Sequence, residues 1–554
     1  MNYTILLRYL IFTGLSLIFL SCSSAVIRDT DISSGNYSSV QNSITQGAKP
    51  QAKDLYAAVS KGDLKMTNLL IENGADINAA YKDHTILGWA ALLRQKDIVN
   101  MLLEKGAILN TGDKQKITPF SSACLGGDPE IVRLMLEKGV DINSNKISAV
   151  LYTTAVVNES KKIKNDKDVL SIVQLLHDKG YSINTTNGHL TPLLAALGNQ
   201  YYKTARYLIS KGAMVNDSNN FGKTPLQTAA YYGSFDMVKL LISKGAKVDA
   251  KNKEGETPIV YSVYREKGIT KSDSDAYKII SLLTSKGADV NISTGKYASS
   301  LLHLALYNNY TKSALFLAKK MNNTDSAEED GTTPLMLAAD IGDVALVKFL
   351  LDRGADVNKK DIHGRTPVFF ALTSYKDLNK KESSILQIVK LLTAAGADLN
   401  IKVAGIEKTT TVNIEGFSGS MSQVLYQGYT PLHLAVDNNY IKAAGYLIKN
   451  GADKNARDAL GLTPLMFAAR NGDQYSDMAG MLIGKEADVN AQNNGGWTAL
   501  MICCQYKSLK IADQILSREP DLKLKTDRGT TAYAIARMYK LNELADNIQK
   551  MENN

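Results

Sequence analysis

Short apolar stripes recur along most of the chain in a pattern that predicts pairs of helices. In residues 219–249 two stripes at helical spacing comprise Leu226, Ala229 and Ala230, and then Val238, Leu241 and Ile242. Asn219 to Gly222 before them is a turn sequence, and Gly245 follows where a left-handed residue commonly ends a helix. This stretch therefore predicts a turn, two helices and a further turn.

The same stretch returns at a fixed interval, marked by a Thr-Pro pair at its head. Thr191, Thr224 and Thr257 each precede a proline and lie 33 residues apart. A threonine hydroxyl can cap a helix, and proline suits the first helical position. A period of this size predicts a solenoid of stacked units, in which each unit buries its apolar faces on its neighbours. We count about fourteen repeats.

The sequence motifs of the repeat resemble those of a known family. Residues 430–435 read Thr-Pro-Leu-His-Leu-Ala, and residues 287–291 read Gly-Ala-Asp-Val-Asn. Both motifs are similar to those of the ankyrin repeat. The resemblance implies an all-α ankyrin-repeat solenoid over residues 51–554, with turn or β-hairpin tips and a curved, superhelical course.

Departures from the period mark the places where this chain differs from its family. The first repeat lacks Thr-Pro and the last reads Thr531-Ala532, as expected of the two caps of an array. Glu486 stands where the helix-ending glycine belongs. A non-glycine residue in the left-handed conformation costs about 1–2 kcal/mol, so we expect a strained helix end there.

Insertions give a second set of departures. Repeats 4, 7 and 10 each measure 34 residues from head to terminal Asn, against 25 elsewhere. Their lysine-rich extra residues lie near 158–168, 265–275 and 374–384, as solvated loops or as helix extensions. A longer break at residues 401–427 has Thr- and Val-rich runs around Glu415-Gly416, a pattern that predicts a β-hairpin finger.

The first residues predict export. Arg8 precedes the apolar run from Tyr9 to Leu20, whose 12 residues are too few to span a bilayer and suit the core of a signal peptide. We assign residues 1–21 to a signal peptide. The run ends at Ser21-Cys22, which resembles a bacterial lipobox. The resemblance implies a lipidated Cys22 and a lipoprotein anchored in the cell envelope, periplasmic or on the outer surface. Plain secretion and an uncleaved anchor are the alternatives.

Residues 22–50 are rich in Ser, Asn and Gln, so we expect a flexible tether there.

The net charge of +9 comes mainly from dispersed lysines, without the dense basic stripe that nucleic-acid binding needs. Cys124, Cys503 and Cys504 fall at core positions of first helices. The six histidines show no metal-ligand spacing, and nucleotide-binding loops are absent from the sequence. We therefore predict no enzyme activity, metal, cofactor or small-molecule substrate.

In the ankyrin family the recognition surface is the concave groove, formed by turn tips and first-helix ends. The candidate partner-binding residues at these positions are Phe221, Tyr231, Tyr232, Tyr264, Arg265, Tyr307, Tyr429, Arg470, Trp497 and Tyr506. Tyrosine, tryptophan and arginine are enriched at binding hot spots. Alternatively, these tyrosines pack between repeats. The predicted function is a non-enzymatic scaffold for a protein partner. The rival functions are a structural spacer of the cell envelope and an enzyme with its residues hidden in 401–427.

Overall fold

The structure, a computed structural model, divides into two compact units, Met1–Tyr261 and Ser262–Asn554. We refer to them as the N-terminal and C-terminal units. The residues that it describes are 26–110, 117–140, 149–154, 165–186, 189–265, 271–294, 299–373, 381–404, 406–414, 417–425 and 427–553. The predicted signal peptide, Cys22 and most of the inserted residues of repeats 4, 7 and 10 lie outside these ranges.

The elements of the N-terminal unit are mainly helices in consecutive pairs. They are α1 Asp29–Ser33, α2 Tyr37–Thr45, α3 Ala52–Lys61, α4 Leu64–Glu72, β1 Ala80–Tyr81, β2 His84–Thr85, α5 Ile86–Leu92, α6 Lys96–Glu104, α7 Pro119–Gly126, α8 Pro129–Glu137, α9 Ala149–Thr154, α10 Asp166–Asp178, α11 Pro192–Gly198, α12 Tyr202–Ser210, α13 Pro225–Tyr231 and α14 Phe235–Ser243. Helix α15, Pro258–Val263, contains the boundary between the units.

The C-terminal unit continues the same alternation. Its elements are α16 Asp273–Ser285, β3 Ser293–Thr294, β4 Ser299–Ser300, α17 Leu301–Tyr307, α18 Thr311–Lys320, α19 Pro334–Ile341, α20 Val344–Asp352, α21 Pro367–Leu372, α22 Glu382–Ala394, β5 Ile406–Ile414, β6 Phe417–Leu425, α23 Pro431–Asp437, α24 Ile441–Lys449, α25 Pro464–Asn471, a 3-10 turn Asp473–Tyr475, α26 Ser476–Gly484, α27 Ala499–Tyr506, α28 Leu509–Leu516, α29 Ala532–Met538 and α30 Asn542–Asn553. The antiparallel pairing of β5 with β6 confirms the predicted hairpin finger.

Local chemistry explains why the repeat folds as the sequence predicts. In repeat 6 the Thr224 hydroxyl accepts the N–H of Gln227, and Pro225 opens the first helix. Gly245 ends the second helix with φ of 86°. Leu226, Val238 and Leu241 are buried. Glu486 takes the same left-handed conformation with φ of 60°, which confirms the predicted departure at that helix end.

The prediction of a flexible tether over residues 22–50 is wrong where the structure describes it. Residues 29–45 form α1 and α2, and α1 packs on α3. Ile27, Ile32 and Val40 are buried together with Ala48. The segment contains so many serines and asparagines that its overall composition indicated a flexible tether, although these few apolar residues are enough to form a small core. They cover the apolar face of the first repeat, so this segment acts as its cap.

The repeats with insertions have longer second helices. α10, α16 and α22 each contain 13 residues, whereas the second helices of most other repeats contain nine. Each longer helix brings an acidic residue at its first position, namely Asp166, Asp273 or Glu382. The described part of the insertions is therefore a helix extension.

These acidic residues cap a helix of the following repeat. The Asp273 carboxylate accepts the N–H of Lys312 at 2.8 Å and that of Ser313 at 3.1 Å, both at the start of α18. Asp166 accepts the N–H of Lys203 at the start of α12, at 2.7 Å, in the same way. Glu382 accepts that of Lys442, at 2.8 Å, at the start of α24.

The capped helices lack a cap of their own. Their N-cap residues are Tyr201, Tyr310 and Tyr440, none of which makes a side-chain cap hydrogen bond. In repeats without the extension an aspartate such as Asp63 or Asp343 fills this position and caps its own helix. The first N–H groups of a helix need an acceptor. The longer helix of one repeat thus replaces the missing cap of the next.

A histidine connects successive turns, as the resemblance implied. His433 is buried, and its Nδ1 accepts the N–H of Thr430 at 3.2 Å while its Nε2 donates to the carbonyl of Leu462 at 3.0 Å. Gln227 does the same in repeat 6, where its Oε1 accepts the N–H of Thr224 and its Nε2 donates to the carbonyl of Glu256. Both residues bridge the helix start of one repeat to the turn of the next.

Replacing Asp273 by alanine should weaken the start of α18. The change leaves two amides without their acceptor, at a cost of about 1 kcal/mol. Hydrogen exchange at the Lys312 and Ser313 amides should accelerate accordingly. Asp477→Ala is the matched control, because Asp477 lies exposed in the first turn of α26 and shares the helix-dipole effect. Equal effects of the two variants would show that capping by Asp273 contributes nothing.

Stability should decrease as pH falls because of His433. Burial lowers the pKa of His433 from 6.5 to about 4. Between these values the unfolded chain binds a proton that the folded chain excludes, so the free energy of unfolding falls by up to about 1.4 kcal/mol per pH unit. His433→Gln keeps the two hydrogen bonds, as Gln227 shows, and should flatten this dependence in urea titrations from pH 7 to 4. An unchanged pH profile would contradict the prediction.

Candidate partner-binding surface

Turn tips in the C-terminal unit are built on an aspartate that binds the backbone. Asp361 Oδ1 accepts the N–H groups of His363 at 3.0 Å and Arg365 at 2.8 Å. Asp458 Oδ1 accepts those of Leu460 at 2.9 Å and Leu462 at 2.7 Å. These bonds fix the tips, so the side chains between them are displayed at defined positions.

Backbone hydrogen bonds join the successive tips. The N–H groups of Ile362, Ala404, Ala459, Asn494 and Asp527 donate in turn to the carbonyls of Asp330, His363, Gln427, Leu460 and Gly495, at 2.8 to 3.1 Å. The tips of repeats 9 to 14 therefore form one continuous line. Side chains at the tips and at the neighbouring first-helix ends can act together on a single partner.

A packed aromatic cluster lies along this line at repeats 11 and 12. The Tyr429 ring meets the Phe467 ring edge-on, with centroids 5.0 Å apart, and lies 5.6 Å from the imidazole of His433. The Arg470 guanidinium lies 4.4 Å above the Phe467 ring and 3.5 Å from Asp437 Oδ1. Burial raises the pKa of Tyr429 to about 12, so its phenol stays neutral. The half-buried Tyr429 and Arg470 thus hold fixed orientations.

A cavity of about 540 Å³ follows at the last two tips. Its lining includes Trp497, Arg528, Ile535 and Met538. Ile535 is buried, Trp497 is half-buried, and Met538 is 64% exposed. The cavity offers an apolar wall beside a guanidinium. We call the set Tyr429, Arg470, Trp497 and Met538 the aromatic surface.

Among the candidates in the N-terminal unit, Tyr231 is not accessible to a partner. The Tyr231 ring is 9% exposed and lies beneath the Lys223 ammonium at 4.3 Å, which also stacks over Tyr261 at 4.6 Å. The prediction that Tyr231 contacts a partner is wrong, because the ring fills space between repeats. Tyr232 packs edge-on against it and is half-buried, whereas Phe221 at the neighbouring tip is 60% exposed.

The remaining candidates are more accessible. Tyr264 is half-buried and Arg265 is exposed. Tyr307 is 42% exposed and donates its hydroxyl to the buried Glu328, and its burial, together with this bond, raises its pKa. Tyr506, at the end of α27, is 50% exposed. The structure does not gather these residues into one cluster with the aromatic surface.

Some components of the surface escaped the sequence analysis. Phe467 and Asp437 are the supports that orient Tyr429 and Arg470, and Met538 is exposed at the end of α29. Met538 lies seven residues after the head Thr531, at the position used to select Tyr231, Tyr264, Tyr307 and Arg470. That spacing could have found it.

The described residues offer little for bond-making chemistry. Among them, no group of three His, Cys, Asp or Glu residues is placed to hold a metal ion. Cys124, Cys503 and Cys504 are buried, as predicted. Burial raises the pKa of Cys504 to about 12 and that of Cys503 well above its usual value, so both remain protonated thiols at neutral pH. Within the same ranges, helices of the length and apolarity that a membrane crossing requires do not occur.

Comparison with known proteins supplies the family. A model of ankyrin repeats in three copies matches residues 32–113, 55–146, 161–252, 213–294, 302–403 and 456–526. A model of the single ankyrin repeat matches residues 427–459.

Three relatives are similar to different parts of the chain. Human Rabankyrin-5 is 30% identical over 208 residues, 32% of this chain and 17% of that protein. The putative ankyrin repeat protein YahD of Escherichia coli is 30% identical over 190 residues, 32% of this chain and 90% of YahD. The human transient receptor potential cation channel subfamily A member 1 is 26% identical over 438 residues, 76% of this chain and 35% of the channel.

The chain thus spans less than a fifth of Rabankyrin-5, and the likeness concerns the repeats. Ankyrin-repeat proteins generally act as scaffolds for protein interaction. The family models cover most of residues 32–526, and the described residues there fold mainly as successive helix pairs. The chain belongs to the ankyrin-repeat family.

Proposed function

We propose that this protein is a binding scaffold that captures a protein partner along the tips and first-helix ends of its C-terminal unit. The observation that carries the proposal is the aromatic surface, where Tyr429, Arg470, Trp497 and Met538 border one line of hydrogen-bonded tips. The mechanism is surface complementarity over several repeats, without any bond-making step.

The chemistry of this surface suits a hot spot. Tyr, Trp and Arg carry much of the energy in many interfaces, since their rings and guanidinium bury a large area with few rotors. Here Phe467, His433 and Asp437 already hold Tyr429 and Arg470 in place. Because these side chains are ordered before binding, less conformational entropy is lost when the partner docks.

The remaining candidates extend the proposal beyond this surface. Phe221, Tyr307, Tyr506 and Arg265 are exposed, and Tyr232 and Tyr264 are half-buried. We assign them secondary contacts, since a long repeat array can spread an interface over many units. Tyr231 has no such role because it is buried.

We also propose that the protein is exported and held at a membrane of the cell envelope by lipidation of Cys22. The apolar run ending at Ser21-Cys22 supports this, and acylation of that cysteine with two or more chains would make the attachment stable. Helix α1 starts at Asp29, seven residues after Cys22. An anchor at Cys22 would therefore hold the repeats near the membrane.

Arg470→Ala combined with Trp497→Ala should reduce partner capture. Crosslinking in intact cells followed by pull-down should recover the partner with the unchanged protein and at least tenfold less with the double variant, as removal of two hot-spot residues predicts. Met214→Ala is the control, because Met214 is 56% exposed and lies in the loop after α12, away from the tips.

Melting curves distinguish binding from packing in this experiment. If the double variant loses capture while its melting temperature stays unchanged, the aromatic surface binds the partner. A loss of stability without a specific loss of capture would instead support a structural spacer and contradict the proposal.

Cys22→Ser should release the protein from membranes. The sulfur of Cys22 would form the proposed thioether bond, which a serine hydroxyl cannot form. After labelling of cells with radioactive palmitate, the unchanged protein should carry label and sediment with membranes, and the variant should be unlabelled and soluble. Cys124→Ser is the matched control, since Cys124 is buried in α7. Labelling of the Cys22→Ser protein would contradict the assignment.

A further inference from the structure

The turn between the two helices of repeat 11 is bonded to repeat 10 at two points. The Nδ2 of Asn438 donates to the carbonyl of Leu372, the last residue of α21, at 3.1 Å. The N–H of Lys442 donates to Glu382, the first residue of α22, at 2.8 Å. Asn438 follows the end of α23, and Lys442 lies in the first turn of α24. This turn therefore contacts repeat 10 both where its first helix ends and where its second helix begins.

The same helix end of repeat 11 is bonded to repeat 12. Asp437 Oδ1 accepts the Nδ2 of Asn471 at 3.2 Å and lies 3.5 Å from the Arg470 guanidinium. The backbone carbonyl of Asp437 accepts the hydroxyl of Tyr475 at 2.7 Å. Burial raises the pKa of Tyr475, so its phenol remains a donor at neutral pH. Because Asp437 and Asn438 are adjacent, the contacts with repeats 10 and 12 start from one point.

Repeat 13 is bonded to repeat 12 in the manner seen between repeats 11 and 10. The buried Ser508 donates its hydroxyl to the carbonyl of Ala469, in α25, at 2.6 Å. Asp473 Oδ1 accepts the N–H groups of Lys510 at 2.9 Å and Ile511 at 3.4 Å. These amides begin α28, whose N-cap residue Ser508 makes no side-chain cap bond of its own.

The tips of these four repeats are joined as well, at the opposite ends of the helices. The N–H groups of Ala404, Ala459 and Asn494 each donate to a carbonyl at the preceding tip. The three junctions from repeat 10 to repeat 13 are thus hydrogen-bonded at both ends of their helices. We call helices α21 to α28 the linked block.

Repeat 9 is connected differently. Its second helix, α20, is capped within the repeat, since Asp343 accepts the N–H of Leu346 at 2.9 Å. At the junction with repeat 10, the Thr373 hydroxyl donates to the carbonyl of Phe370 in its own repeat at 2.9 Å and lies 3.5 Å from Asp340 Oδ1. A hydroxyl has one proton, so the bond within repeat 10 weakens the one to repeat 9.

We propose that the linked block opens as one unit, while repeat 9 opens separately from it. In a repeat array, strong bonds between neighbours make several repeats open together, and weaker junctions become the boundaries of such units. Tyr429, Arg470 and Trp497 of the aromatic surface lie in repeats 11 to 13. Their spacing is thereby kept while repeat 9 opens. The proposal depends on the geometry of the junctions and not on partner capture.

Hydrogen exchange of the full-length protein tests the proposal. Exchange is followed by mass spectrometry of peptides, at urea concentrations that leave the protein folded. Peptides from α24, α26 and α28 should exchange through one opening, with the same free energy and the same dependence on urea. The peptide from α20 should exchange through a smaller opening that depends less on urea, because the slope increases with the surface exposed.

Two variants test individual junctions of the linked block. Asp473→Ala removes the acceptor of the first α28 amides, so α28 should exchange about fivefold faster and separately from α24. Asp477→Ala is the matched control, since Asp477 is exposed in the first turn of α26. Tyr475→Phe removes one hydroxyl and keeps the ring, so it tests the junction of repeats 11 and 12 with little risk to folding.

The proposal is wrong if α24, α26 and α28 of the unchanged protein exchange through separate openings, or if α20 shares their opening. Equal exchange in the Asp473→Ala and Asp477→Ala proteins would contradict the role of Asp473 at its junction. Partner capture by the Arg470 and Trp497 variants is a separate measurement, so failure of the proposed binding function leaves this result unaffected.

Discussion

In the part of the chain that the structure describes, repeats depend on their neighbours to bury their apolar stripes and, in several cases, to cap a helix, and the rest of the structure follows from that dependence. The first N–H groups of a helix need acceptors, and a two-helix repeat cannot bury its apolar stripes alone. Asp273 meets the first need across a repeat boundary by capping α18, and His433 joins a helix start to the next turn. The segment of α1 and α2 meets the second need at the end of the array by covering the first repeat. Stability is thus a property of neighbouring repeats.

This dependence also decides what the sequence could predict. Thr224 caps the helix that begins at the next residue, Pro225, so both residues act locally. The spacing of the Thr-Pro pairs along the sequence was therefore enough to locate the helix pairs. The Thr- and Val-rich runs of the finger likewise identified β5 and β6. The contact of Asp166 with Lys203 spans 37 residues and depends on how far α10 extends, which composition did not show. The cap at residues 29–45 was missed for a related reason, since three or four apolar residues suffice there.

The candidate site shows the same limit more sharply. The sequence analysis chose both Tyr231 and Arg470 as candidates, because each lies seven residues after the threonine of its Thr-Pro pair. Lys223 and Tyr261 enclose Tyr231, whereas the Arg470 guanidinium stacks on Phe467 and remains half-exposed. Which of two equivalent positions is accessible depends on neighbours that lie one repeat away. Spacing therefore gives a list of positions that could bind, and packing selects among them.

The line of tips carries the aromatic surface on a framework of backbone hydrogen bonds. The aromatic surface has rigid rings, one guanidinium and an apolar cavity, which suit a partner of fixed shape. Leu460 lies at the tip of repeat 12, and its carbonyl accepts the N–H of Asn494 at the tip of repeat 13. Because backbone bonds of this kind join one tip to the next, the repeats themselves set where Trp497 and Met538 lie relative to Tyr429 and Arg470. A partner that contacts the aromatic surface therefore meets side chains whose spacing is fixed before it binds.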